Sequence, residues 1–87
     1  MTKKIPKMKP AALKELMMLA EQGIKVHQAQ LGLYYRQQAN WEEAFFWLSL
    51  ASGAALLQAL QETKNHLSAE QVSEIKKRLK EWRPIPV

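Results

Sequence analysis

Apolar positions recur at helical intervals along most of the chain. Leu13, Leu16, Met17 and Ala20 form a stripe that predicts a first helix from Pro10 to about Gln22. Pro10 suits the first turn, where its missing N–H would be unpaired anyway, and Gly23 stands where a left-handed C-terminal cap is wanted. A second helix is predicted from about Lys25 to Gln37. Asn40 is a good N-cap for a third, which carries Glu42 and Glu43 near its positive end and should stop near Gly53. Leu56, Leu57 and Leu60, with Ala55 and Ala59 beside them, predict a fourth helix from Ala54 to about His66. Ser68 and Gln71 form an S-x-x-Q capping box ahead of a stripe made by Val72, Ile75, Leu79 and Trp82, and Pro84 ends that fifth helix. No stretch shows sustained period-two alternation, so the expected fold is all-α, with about five short antiparallel helices.

The second and third helices carry the most specific pattern. Leu31 and Tyr35 lie on one side of the second helix, while Ala44, Leu48 and Ala51 recur at four and three on the third. Gly32 and Ala44 are small enough to let two backbones approach closely, with Leu and Tyr side chains filling the remaining volume. Together these positions resemble the signature of a tetratricopeptide repeat. Leu19-Ala-Glu-Gln-Gly23, Ala44-Phe-Phe-Trp-Leu48 and the closing helix from Leu67-Ser-Ala-Glu-Gln71 to Glu81-Trp82 extend the resemblance, toward the Sel1-like branch, over roughly Leu16 to Trp82. Two positions depart from the Sel1 pattern: His27 replaces the usual Ala, and the turn from Tyr35 to Asn40 is shorter and lacks the usual Gly. The resemblance implies an α-α repeat with a capping C-terminal helix. Repeat proteins stack at least ~3 units to bury a continuous core, so either the flanking helices act as caps or two chains complete each other's stack.

Composition limits the alternatives. Eighty-seven residues make one small domain, which buries somewhat over ~60% of its unfolded surface, and a 47% apolar content suffices for a core. The expected organisation is a basic arm over residues 1–9, a helical domain over 10–83 and a tail over 84–87. No secretory h-region or membrane span is evident, and the absence of Cys excludes disulfides and suits a reducing, cytoplasmic location. The net charge of +5 belongs to the two ends, with Lys3, Lys4, Lys7 and Lys9 at one and Lys76, Lys77, Arg78, Lys80 and Arg83 at the other.

The candidate chemistry is that of binding. Val26, Ala29, Leu33, Arg36 and Gln37 share one helical face, and the resemblance implies that this face lines a groove for a partner's peptide or helix. Tyr34, Trp41, Phe45, Phe46 and Trp47 are too many large rings for one thin layer, which makes Trp41 and Phe45 candidates for the same contact surface, while Trp47 and Tyr35 are expected inside. The basic run Lys76 to Arg83 is a candidate patch for nucleic acid or another acidic partner, although the apolar stripe of the same helix also explains it as a solvated face. His27 and His66 lack ligand-spaced neighbours, and no Asp, Gly-rich phosphate loop or G-x-S-x-G occurs, so no metal, cofactor or enzymatic activity is expected. The leading expectation is a small adaptor that binds another protein. The alternatives are a basic accessory protein on nucleic acid or an acidic complex, and a small bacterial or phage inhibitor that occludes a larger enzyme. A face left open by the short repeat, around Trp41, Phe45 or Leu56-Leu57, would be covered by homodimerisation or by the fifth helix folding back.

Overall fold

The computed structural model describes residues 9–51 and 56–86. Its elements are α1 (Pro10–Glu21), α2 (Lys25–Gln37), α3 (Trp41–Ala51), α4 (Leu57–Lys64) and α5 (Ala69–Glu81), and no strand occurs among the described residues. The all-α expectation is met. The predicted ends at Gly53 for α3 and Ala54 for α4 lie outside the described residues, and α4 stops at Lys64, ahead of the expected His66.

The helix ends follow from local chemistry. Lys9 precedes Pro10 in extended conformation and its carbonyl accepts the Leu13 N–H at 2.9 Å. Gly23 adopts φ +93°, and its N–H and that of Ile24 return to the carbonyls of Ala20 and Leu19, which satisfies acceptors left open at the end of α1. Before α5, Ser68 Oγ accepts from Gln71 N–H at 3.1 Å while Gln71 Oε1 accepts from Ser68 N–H at 2.8 Å, a reciprocal capping box. The turn between α2 and α3 contains Ala39 at φ +61°, the left-handed region that glycine would occupy without strain.

α3 is the hub of the molecule, packing on α2, α4 and α5, while α1 packs on α2. The closest approach is at Gly32, where an added methyl would lie 2.7 Å from Leu48 Cγ and 2.9 Å from Leu48 backbone N. With Ala44 also fully buried, α2 and α3 meet nearly backbone to backbone. Leu16, Ala20, Leu31, Phe45, Phe46, Trp47, Val72 and Ile75 form the core cluster, with Leu79 and Trp82 packed against it. The C-terminal helix therefore supplies cover for α3 from within the chain.

The chain after α5 also returns to the body. Trp82 and Pro84 border Gly23, and Ile85 N–H donates to the Glu21 carbonyl at 2.8 Å, so the tail closes over the α1–α2 turn. Residues 1–8 of the expected basic arm lie outside the described residues. Among the described residues, no helix is long and apolar enough to cross a membrane.

Candidate functional site

α2 divides cleanly into two faces. Gln28, Leu31 and Gly32 are buried, with Tyr35 half-buried beside them, and Val26, Gln30, Leu33 and Gln37 are exposed on the other side, with Ala29 at the boundary. Val26 and Leu33 remain 59% and 36% accessible. The outer stripe therefore carries two aliphatic side chains and two amides, with no charge. Gln30 also lines the neighbouring groove between α1 and α2, whose walls include Ala12, Glu15, Leu16, Leu19 and His27 and whose volume is about 490 Å³.

At its C-terminal end the face changes character. Arg36 forms an ion pair with Glu62 of α4, and Arg36, Gln37, Trp41, Glu62, Asn65 and His66 line a groove of about 500 Å³. Trp41 is half-buried, because the His66 ring stacks on its indole at 3.8 Å between centroids and 5° between planes. The expected surface role of Phe45 does not survive: it is 8% accessible and belongs to the core. The physical reason is the environment of α3. Helices pack on it from several sides, so Ala44 through Leu48 are buried in succession and rings that could not share one thin layer find separate cover. Trp47 and Tyr35 lie in or against the core as expected. Burial, reinforced by the Glu43 carboxylate, raises the Tyr35 phenol above its ordinary value, and the hydroxyl donates to Met17 Sδ at 3.9 Å.

The basic run of α5 does not form one patch. Arg78 turns toward α3, where its guanidinium forks onto the Glu43 carboxylate at 3.0 and 3.2 Å and sits 3.8 Å over the Phe46 ring. Arg83 donates back to the carbonyls of Lys80 and Trp82. Lys76, Lys77 and Lys80 are exposed and form no ion pair among the described residues. Gln71, by contrast, reaches Glu42 at 2.5 Å, so the N-terminal half of α5 is tied to α3.

Three contributions were missing from the sequence reading. His66 shields Trp41, Glu62 engages Arg36, and Gln28 is buried with Nε2 donating to the Ala20 carbonyl at 3.1 Å. Only the last had a local signal: Gln28, Leu31, Gly32 and Tyr35 follow helical spacing, which places Gln28 on the inward stripe. Among the described residues no group of His, Cys, Asp or Glu is arranged to hold a metal ion. No family model, curated protein or solved structure matches the chain.

Proposed function

We propose that this protein is a non-enzymatic interaction module, a small Sel1- or tetratricopeptide-like adaptor, and that its contact face is the outer side of α2. The observation that carries the reading is the uncharged exposed stripe of Val26, Gln30, Leu33 and Gln37 in a chain whose residues are 24% charged. A solvated helix face ordinarily presents charged side chains, whereas apolar residues held in the open at helical spacing suit the burial of a partner. The fitting partner is an amphipathic helix of another protein. Its apolar edge would lie along Val26 and Leu33 and enter the adjoining α1–α2 groove, with the amides of Gln30 and Gln37 hydrogen-bonding at the margin. Arg36 then marks the end of the track, where an acidic residue of the partner would compete with Glu62.

The test begins with a partner isolated from the native source and measures its binding to purified variants by calorimetry. Val26→Glu and Leu33→Glu place charges on the stripe without touching the core, and each should weaken binding at least about tenfold, equivalent to about 1.4 kcal/mol. Replacing Lys76, Lys77 and Lys80 should leave that affinity unchanged. The reverse pattern would move the contact away from α2.

A further inference from the structure

The groove between α1 and α2 asks for more than an apolar contact. Leu16, buried, and Leu19, half-buried, line it with Ala12 from α1, and His27 and Gln30 line it from α2. Among the described residues lining it, Glu15 alone is an acid or a base of full charge, and it is exposed. Nothing on its own helix neutralises it, because the positions three and four residues away are Ala11, Ala12, Met18 and Leu19. Neither of the two ion pairs among the described residues involves it. The α2 wall adds a second acceptor. Gln30 Oε1 can only accept, so in its 3.2 Å bond to His27 the donor is Nδ1, and Nε2 keeps its lone pair.

We propose that this groove receives a lysine or arginine side chain carried on the apolar ridge of the partner helix. The inference rests on the α2 reading and names the partner's chemistry at that same site. Long cationic side chains lay a methylene stem along apolar surface and keep the charged head among polar groups. Here the stem follows Leu16 and Leu19, and the head pairs with the Glu15 carboxylate. Lysine and arginine bring donors and no acceptor, which suits a carboxylate and an imidazole lone pair. An acidic residue at the same place would set two carboxylates against each other, and a nucleic acid backbone meets the same repulsion. A wholly apolar ridge would cover Glu15 without pairing it and leave a desolvated charge uncompensated. The pairing also fixes register, since it sets one partner residue opposite Glu15 while Val26 and Leu33 hold its neighbours.

Synthetic amphipathic helices of about four turns supply the test, sharing a leucine ridge and differing at one ridge position that is Lys, Gln or Glu. Each is titrated into the isotope-labelled full chain, and affinity is read from NMR shift changes at the groove. The expected order of affinity is Lys, Gln, Glu, with each step about two- to fivefold and smaller at high salt. The net charge of +5 by itself favours the Glu peptide, so this order is no general charge effect. Glu15→Lys should invert the order, and Glu15→Gln should remove the advantage of the Lys peptide. Both changes fall at an exposed position and leave the core intact. Equal affinities, the reverse order, an order that Glu15→Lys leaves in place, or no shift at the groove with the Lys peptide would each overturn the assignment. Self-association of the chain that Glu15→Lys abolishes would overturn it too, and would make a second copy the occupant. The α2 reading is judged separately, by Val26→Glu and Leu33→Glu against the native partner. If those two weaken binding while the peptides show no order, the contact face stands and the cationic residue falls.

Discussion

Two small residues in the α2–α3 hairpin have opposite relations to a missing or present methyl group. At Gly32 the space is taken: a Cβ would meet the Leu48 backbone nitrogen at 2.9 Å, and a backbone atom cannot swing aside. Gly32→Ala should therefore force α2 and α3 apart and lower stability by about 1–3 kcal/mol, despite the better helix propensity of Ala. At Ala39 the methyl is itself the source of strain, because φ is +61°. Ala39→Gly should raise stability by a few tenths to about 1 kcal/mol, the relief of left-handed strain being offset in part by the freedom glycine adds to the unfolded chain. Urea denaturation of both variants gives the two signs in one experiment. The residue scale also shows why Gln28 is buried: its amide fastens α2 to the last turn of α1 at the Ala20 carbonyl, where a leucine would fill volume but leave the helices unlinked.

At the scale of the element, α5 shows how a short helix is held in place. Its capping box satisfies two backbone donors at once, and the side chain of Gln71 goes on to bond Glu42 across to α3. Ser68→Ala removes the side-chain acceptor and should cost about 1 kcal/mol, seen as a lower thermal midpoint and as faster amide exchange in the first turn of α5 than in its last. This box was legible in the sequence, as were the bounds of α2 and the cap at Gly23, because each depends on residues within a few positions of one another. The places of Phe45 and Arg78 were not. An outward position on an isolated helix becomes an inward one when a distant element covers it, and Phe45 and Arg78 owe their surroundings to partners on other helices. For the same reason the stripe of Val26 and Leu33 could be read from spacing alone: nothing among the described residues arrives to bury it.

Across the whole molecule, the helices form a circuit of contacts. α1 meets α2, α2 meets α3, α3 meets α5, and the tail after α5 returns to the carbonyl of Glu21 at the end of α1. In a linear stack of repeats an end helix can lift away while its neighbours stay, but a circuit offers no such free end. α4 is the exception. It spans eight residues, has no side-chain N-cap, packs chiefly on α3 and is tied to α2 by the Arg36–Glu62 pair at its surface. Local opening of the native state follows the route of least buried contact, and here that route is the lifting of this one short leaf. Opening of that leaf would draw His66, just beyond its C-cap, away from Trp41, and the half-buried indole would then be fully bared beside the charged end of the α2 stripe.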